Sequence, residues 1–387
     1  MGKKGVKEFS CSDSDSNSHQ VISKLLLPQD LIFDILTFLS INCLTNSAMY
    51  VCKTWAATIT SFRFAEAHQR RARSKHGLYV QCLVSGISSY FLEFKNDDVN
   101  GQYERFDLGT PEGMGDVIAS CDGIWLLSND SSQNFAANPC LKCWLRIPSF
   151  PSSVRLENMI IRFQCTIARV PGTSEFKVFL LDVLDVLGSA WFFFYVLTIG
   201  IDNSWKEIAR REAPLNQLLC WKPIYNGGND LYWVTMDEVI VMNVDKEIVV
   251  SEYPIRGCLV DGLGKTFLWM GDCLSCIDHE DIYGTFKIFV LNFDSRKWSL
   301  YHEMGPFDYG AACGHELHVS SVSFRMWIND QIIFHADEGF ASLKNIHFGY
   351  NVKTRQLTKI DGIDKGGFVV CRHINSLASL PSTTTDV

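Results

Sequence analysis

The hydrophobic pattern of the first part of the chain is helical. Apolar residues recur at steps of one, three or four after Pro28, and a proline suits a first helical turn because its missing N–H would be unpaired there. These apolar residues are Leu31, Ile32, Ile35, Leu36 and Leu39. A second apolar set follows the turn at Ser40–Asn42 and ends at Ile59, and residues 31–76 contain no glycine or proline. We therefore expect two or three successive helices.

The pattern changes after Gly77 to short apolar runs separated by Gly, Asn, Asp and Pro, which is typical of strands joined by turns. A loose unit recurs at steps of about 40 to 60 residues: a strand ends in Asn or Asp, and a tryptophan or charged residue opens the next strand. Instances are 138–148, 196–208, 241–247, 290–298 and 350–357. The repeat predicts a propeller of roughly five to seven four-stranded blades.

Five segments follow from these patterns. Residues 1–22 are rich in Ser and Asp without periodicity, so we expect a disordered tail there. The other predicted segments are a helical module at 23–67, a linker helix at 68–77, the strand-rich domain at 78–376 and a second disordered tail at 377–387.

Charge and cysteine content narrow the expected partners. Lys and Arg number 35 against 43 Asp and Glu, a net charge of −8, which argues against nucleic acid as the main partner. The 14 cysteines, with no secretory signal before them, are expected to be reduced thiols in the cytoplasm and/or nucleus. The longest uncharged stretch, 186–201, is shorter than the roughly 20 apolar residues of a spanning helix, so no membrane partner is expected.

Candidate metal and catalytic motifs are weak. The pairs Cys140–Cys143 and Cys273–Cys276 could together supply four thiolates to zinc, but they fall in different repeats, which favours buried free thiols. His315 and His318 are three residues apart, whereas the zinc-peptidase helix motif needs four. No nucleophile and base can be paired from spacing. The sequence therefore predicts no metal, no cofactor and no catalytic residue.

A family resemblance rests on two motifs near the amino terminus. Leu27-Pro28, followed by an acidic-apolar helix, and the motif Val51-Cys52-Lys53-Thr54-Trp55 together resemble the F-box over about residues 24–65. The strand-rich body is similar to the F-box-associated, kelch-like region of the large plant F-box family, for example at Ser120–Trp125 and Asn138-Pro139. The resemblance implies a multidomain α plus all-β fold: a small three-helix F-box followed by a kelch-like β-propeller of short antiparallel strands.

The same resemblance implies a role and a set of contact residues. An F-box binds the Skp adaptor, and through it the cullin, of a Skp–cullin–F-box (SCF) ubiquitin ligase, while the β-domain binds the protein to be ubiquitinated. Such a subunit is a substrate receptor rather than an enzyme. Residues expected to contact the adaptor, or to support that contact, are Leu27, Pro28, Leu31, Ile35, Leu36, Leu39, Leu44, Val51, Cys52 and Trp55. The chain departs from the family pattern at Ser40, where a proline is usual, and at Asn42 and Asn46, near which basic residues are usual.

Two other roles stay open at the level of sequence. A kelch-like propeller can be an enzyme or a sugar-binding protein, and an F-box can serve as a scaffold outside a ligase. No substrate-binding residue can be named, because such residues lie in loops that a single sequence does not rank.

Overall fold

The computed structural model describes residues 27–71, 76–82, 89–94, 103–106, 114–129, 133–151, 164–186, 189–213, 221–255, 264–279, 284–338, 345–363 and 368–381. The chain divides into two compact units, Met1–Ala72 and Arg73–Val387. None of the described helices is long and apolar enough to cross a membrane.

The first unit is helical, as the sequence predicts. Its elements are α1 (Gln29–Leu36), α2 (Ile41–Asn46), a short 3-10 helix (Ala48–Tyr50), α3 (Lys53–Ile59) and α4 (Phe62–Arg71). Its core is formed by Leu36, Leu44, Ile59 and Phe64, all fully buried. Helix α4 ends at Arg71 and the next described element begins at His76, so this helix stops before the end of the predicted linker segment 68–77.

Polar contacts fix the helix ends of the first unit. The Ser40 hydroxyl accepts a hydrogen bond from the Cys43 amide at 3.3 Å, so the serine that replaces the usual proline caps helix α2. His68 Nε2 lies 2.8 Å from the Leu39 carbonyl oxygen, which joins the last helix to the turn before α2. The phenyl ring of Phe64 packs edge-on against Phe33, at 5.3 Å between ring centroids.

The second unit consists of antiparallel strands. Strands β1 (His76–Cys82), β2 (Tyr90–Phe94) and β3 (Tyr103–Phe106) come first. Next are β4 (Asp116–Cys121), β5 (Ile124–Ser128), β6 (Asn134–Asn138) and β7 (Cys143–Ile147). They are followed by β8 (Cys165–Arg169), β9 (Phe176–Val186), β10 (Ser189–Thr198) and β11 (Lys206–Glu212). Then come β12 (Ile224–Tyr225), β13 (Asp230–Val234), β14 (Glu238–Asn243) and β15 (Ile248–Pro254). The next four are β16 (Thr266–Met270), β17 (Cys273–His279), β18 (Phe286–Asn292) and β19 (Lys297–Met304). After the short helix α5 (Tyr309–Cys313) the last are β20 (Val319–Ile328), β21 (Gln331–Glu338), β22 (Asn345–Asn351), β23 (Gln356–Lys359) and β24 (Phe368–Ile374).

These described strands form six four-stranded sheets, which are the blades of a propeller. Five blades use four consecutive strands, from β4–β7 to β20–β23. Blade 1 has the order β24-β1-β2-β3, so its innermost strand comes from the far end of the sequence and pairs with β1 from His76↔Ile374 to Cys82↔Phe368. The innermost strands β24, β4, β8, β12, β16 and β20 contact one another in that order, and β20 returns to β24. The ring is closed, and the observed six blades lie inside the predicted range.

The hydrophobic core is divided between neighbouring blades. Each of six buried clusters joins two adjacent sheets, because each sheet packs one of its two faces against the blade before it and the other face against the blade after it. For example, Leu126 of β5 and Leu180 of β9 share one cluster, and Tyr79 of β1 joins Trp125 of β5 in another. Every blade therefore depends on both of its neighbours for burial.

The repeated sequence unit is the hairpin between the third and fourth strands of a blade. In four of these hairpins an asparagine ends the third strand, and the residue four positions later has a positive φ between 52° and 58°. The asparagines are Asn138, Asn243, Asn292 and Asn351, and the residues with positive φ are Lys142, Glu247, Arg296 and Arg355. Each asparagine oxygen accepts a hydrogen bond from a backbone N–H two or three residues later.

The described chain continues past β24 as an extended segment, residues 375–381, that packs against blades 2 and 3. Leu377 is only 2% exposed, and the amide of Asn138 donates to the carbonyl oxygens of Ser376 and Ala378 at 3.0 and 2.7 Å. A Cβ added at Gly200 would lie 2.7 Å from the ring of Pro381. Residues 377–381 are thus part of the fold, whereas the sequence placed the start of a disordered tail at 377.

Candidate functional site

One face of the first unit carries exposed apolar side chains. Leu31 and Ile35 lie four residues apart on α1 and are 49% and 51% exposed, and Phe38, just after the helix, is 73% exposed. Leu27 precedes them at the same spacing and is also exposed. The opposite side of α1 supplies Leu36 to the core. Helix α1 is therefore apolar on two sides, and one of them faces solvent.

A second exposed apolar segment follows α2. Tyr50 ends the 3-10 helix and is 81% exposed, and Val51 and Cys52 after it are exposed as well. Cys52 adopts an extended backbone conformation and begins α3, where Trp55 is half-buried. The Val-Cys-Lys-x-Trp motif therefore spans a turn and the first part of a helix, with its apolar members on the surface or close to it.

The structure sorts the ten predicted adaptor residues by exposure. Those that lie on the surface are Leu27, Pro28, Leu31, Ile35, Val51 and Cys52. Leu36 and Leu44 are buried in the core, and Leu39 and Trp55 are half-buried, so these four support the surface rather than form it.

Two exposed aromatic residues, Phe38 and Tyr50, were missed by the sequence reasoning. Phe38 could have been found, because it continues the spacing of Leu31 and Ile35 by three residues. The exposure of Tyr50 follows from the 3-10 turn, which the helical periodicity does not reveal.

A polar cleft lies between α1 and α4 of the same unit. It has a volume of about 430 Å³, and its lining includes Asp30, Phe33, Asp34, Arg63, Glu66 and Arg71. Arg71 pairs with Asp34 and also donates to the Thr37 hydroxyl at 3.2 Å, while Arg70 pairs with Glu66. Four of the charges that line the cleft are thus compensated within the unit, and the Arg63 guanidinium packs over the Phe33 ring.

The cysteine and histidine motifs lie far apart in the fold. The Cys140–Cys143 pair lies in the hairpin of blade 2, and the Cys273–Cys276 pair lies in β17 of blade 5. Burial raises the pKa of Cys140 to about 11, which keeps it a thiol. The loop after α5 holds His315 and His318. Among the described residues there is no group of three or more His, Cys, Asp or Glu side chains that could hold a metal ion.

The propeller also exposes apolar side chains, on its outermost strands. Ile248 and Val250 lie on β15 of blade 4, and Leu300 and Tyr301 lie on β19 of the next blade. These outer strands are candidates for contact with another protein, although no sequence pattern singles them out.

Comparison with known proteins adds one match and several distant likenesses. Residues 25–66 match the F-box domain family. No curated protein sequence matches the chain. Among solved structures, the propeller is similar to an oligogalacturonate lyase from Vibrio parahaemolyticus, with 12% identity, 70% of each chain covered and a TM-score of 0.41. A putative 6-phosphogluconolactonase from Bacteroides uniformis is 12% identical over 77% of this chain and 99% of that chain, with a TM-score of 0.40.

A putative TolB from Agrobacterium tumefaciens is 12% identical over 74% of this chain and 88% of that chain, with a TM-score of 0.39. At these scores the likenesses carry no argument about activity. The kelch-like identity of the blades and the plant origin stay predictions. The match at 25–66, the helical first unit and the six blades together identify an F-box domain followed by a six-bladed antiparallel β-propeller.

Proposed function

We propose that this protein is the substrate-recognition subunit of an SCF ubiquitin ligase, and that it is not itself an enzyme. The observation that carries the proposal is the exposed apolar row formed by Leu31 and Ile35 on α1 and by Phe38 just after it, within a segment that matches the F-box domain. The role assigned to the row is to dock on a Skp-type adaptor, which in turn binds the cullin.

The exposure of this row is costly unless a partner covers it. Burial of a Leu, Ile or Phe side chain stabilises a protein by about 1.5–3 kcal/mol each. A small helical unit has a small core, so it leaves some of its apolar side chains uncovered. Monomeric proteins rarely leave such residues contiguous on the surface, so an apolar partner groove is the natural complement.

The propeller, in this proposal, holds the target protein near the ubiquitin-loaded enzyme that the cullin recruits. Holding the two proteins together raises the effective concentration of the target at the ubiquitin-loaded enzyme, and this needs no catalytic residue in the present chain. The expected location is the cytoplasm and/or nucleus, where reduced cysteines persist.

Replacement of Leu31 and Ile35 together by alanine tests the adaptor contact. Loss of two aliphatic side chains that the adaptor would bury is expected to raise the Kd for a Skp-type adaptor by about a hundredfold or more, as measured with purified partners. The double change Ile248→Ala and Leu300→Ala removes the same kind of exposed surface from the propeller and serves as the control. Equal affinity of the α1 variant and the wild type would refute the proposed docking face.

A second measurement separates a ligase subunit from a scaffold. The wild-type protein with adaptor and cullin is expected to assemble into one complex, detected by size-exclusion chromatography. A complex with the adaptor that excludes the cullin would favour the scaffold role instead.

A further inference from the structure

Two positively charged side chains lie on or next to the innermost strands of two different blades. Lys222 lies two residues before the innermost strand β12 of blade 4, and Arg325 lies on the innermost strand β20 of blade 6. Both side chains are accessible to water although protein surrounds them. This combination is expected for groups that line a narrow, water-filled channel.

The Lys222 side chain crosses the channel. Its Nζ donates to the carbonyl oxygen of Ile118 at 2.8 Å, and Ile118 belongs to β4 of blade 2. Blade 3, with innermost strand β8, separates blades 2 and 4 in the ring. A bond that skips one blade can be made only through the lumen, so the ammonium group lies inside the channel.

Two β-bulges bring the participating groups to this point. The register of β4 with β5 shifts between Val117 and Ala119, which makes Ile118 the extra residue. The register of β20 with β21 shifts between Phe324 and Met326, which makes Arg325 the extra residue. A bulge leaves its extra residue outside the regular ladder and redirects it. The acceptor of Lys222 and the second cation therefore both come from bulges of innermost strands.

Lys222 is also held firmly at its backbone. The neighbouring Trp221 donates its amide to the Val234 carbonyl and its indole N–H to the Lys265 carbonyl, both at 3.0 Å. Pro223 on the other side is buried. The lysine is thus anchored by the residues on both sides of it.

Within the described part of the chain, neither cation forms an ion pair with a carboxylate. Lys222 Nζ donates to the Ile118 carbonyl oxygen, and Arg325 Nε donates to Nδ1 of His335 at 3.2 Å. Burial and the nearby Arg325 charge lower the pKa of His335 to about 4. This histidine is therefore neutral at pH 7 and does not compensate the Arg325 charge. Burial lowers the pKa of Arg325, and the Asp337 carboxylate opposes this from a distance, but it forms no ion pair with Arg325 and accepts a hydrogen bond from the Ser321 hydroxyl.

The thiols around Lys222 do not compensate its charge either. Burial raises the pKa of Cys371 to about 12 and that of Cys165 still further, so both stay protonated at neutral pH. Burial and the Arg325 charge also lower the pKa of Lys222. The opposite arrangement occurs at Asp122, whose carboxylate pairs with Arg169 at 3.3 Å. Arg169 therefore has a carboxylate partner, whereas Lys222 and Arg325 form no ion pair with a carboxylate of the described residues.

We propose that the central channel binds a phosphate-type oxyanion between the Lys222 ammonium group and the Arg325 guanidinium group. Two unpaired cations on different blades match a dianion better than a single carboxylate, and a guanidinium fork matches the tetrahedral oxygens of phosphate. A bound dianion would offset both the burial of Lys222 and its repulsion from Arg325. This inference does not depend on adaptor docking, since the channel is formed by the propeller alone.

Isothermal titration calorimetry on the full chain, at constant ionic strength in chloride, tests the site with two probes: inorganic phosphate and a short phosphoserine peptide. Lys222→Met and Arg325→Gln are each expected to raise the Kd about tenfold or more, because each removes a charge-assisted hydrogen bond. Lys297→Met on β19 and Arg146→Gln on β7 remove the same charges from exposed outer strands and are expected to leave the Kd unchanged. Arg325→Lys, which keeps the charge but not the fork, is expected to fall between wild type and Arg325→Gln.

Thermal unfolding distinguishes loss of the site from loss of the fold. Phosphate is expected to raise the unfolding temperature of the wild type and of the two controls, but not that of Lys222→Met, whose ligand-free unfolding temperature should equal or exceed that of the wild type. Binding of phosphate alone indicates a free anion as ligand, and binding of the peptide alone indicates a phosphorylated protein. No binding of either probe to the wild type, or equal binding by the channel variants and the controls, would overturn the proposal.

Discussion

At the scale of single residues, the four hairpin asparagines perform one shared task, and one of them performs a second. Each uses its side-chain oxygen to accept a turn N–H, as Asn292 does from Ser295 at 2.7 Å. Asn138 is fully buried and also uses its NH2 group to hold Ser376 and Ala378. Sequence repeats identify the shared task, but the second task depends on a segment about 240 residues away.

A pair of identical substitutions separates these two tasks. Asn138→Asp removes both amide donors and places a carboxylate beside two carbonyl oxygens, so it is expected to lower the free energy of unfolding by about 3 kcal/mol. Asn292→Asp keeps the acceptor and is exposed, so a change of less than about 0.5 kcal/mol is expected. Urea unfolding monitored by tryptophan fluorescence measures both, and equal effects would contradict the second role of Asn138.

At the scale of elements, strand β24 decides whether the ring closes. It is the innermost strand of blade 1, it pairs with β1, and it lies between β20 and β4. The residues after it, 375–381, pack on blades 2 and 3, so the last described segment stabilises three successive blades. Closure of the ring therefore depends on the non-local pairing of β24 with β1.

Two truncations of the carboxy terminus are expected to have different effects on the unfolding transition of the propeller. Removal of residues 368–387 takes away the inner strand of blade 1 and leaves the edge of β1 unpaired, so cooperative unfolding of the propeller should be lost. Removal of residues 375–387 keeps β24 but loses the burial of Leu377 and the bonds to Asn138, so a cooperative transition should remain at a lower temperature. Differential scanning calorimetry checks both truncations. If the protein that lacks residues 368–387 unfolds with the same transition as the wild type, β24 is dispensable.

The outer strands of three successive blades carry bulges at corresponding places. The register shifts near Ile208 in β11, Val250 in β15 and Tyr301 in β19, where each strand is the free edge of its sheet. A bulge interrupts the ladder of hydrogen-bonding groups that an edge offers to another chain. This device explains how exposed residues such as Val250 and Tyr301 can occur on edge strands without promoting sheet-to-sheet association.

At the scale of the whole molecule, local sequence patterns predicted the type of fold but not the contacts between residues that are far apart in the sequence. The helical period of 31–59 and the motifs at Leu27-Pro28 and 51–55 were sufficient for the F-box, and the turn pattern was sufficient for a propeller. The number of blades was not fixed, because blade 1 takes strands from both ends of its unit and shows no complete repeat. The channel cations could not be paired from sequence either, since bulges inside apolar runs leave no periodic signal and Lys222 meets a partner in another blade.

The dependence of stability on pH is also a property of the whole propeller, because three buried histidines occur in adjoining blades 6 and 1. Burial lowers the pKa of His335 to about 4, of His347 to about 3 and of His373 to about 3. In the unfolded chain each would bind a proton below about pH 6.5. The folded state excludes these protons, so the stability is complete above pH 6.5 and is lost as the pH falls toward 4.

The expected loss is up to about 4 kcal/mol per pH unit for the three histidines together. His373→Gln is expected to reduce this slope by about one third, because Gln does not titrate and its oxygen can still accept the Trp125 indole N–H that His373 Nδ1 accepts at 2.9 Å. His318→Gln, in the exposed loop after α5, controls for the loss of a histidine. Urea midpoints between pH 7.5 and 5 measure the slope. A His373→Gln slope equal to that of the wild type would mean that this histidine does not couple protonation to folding, and the acid sensitivity would then have to arise from the His335–His347 pair.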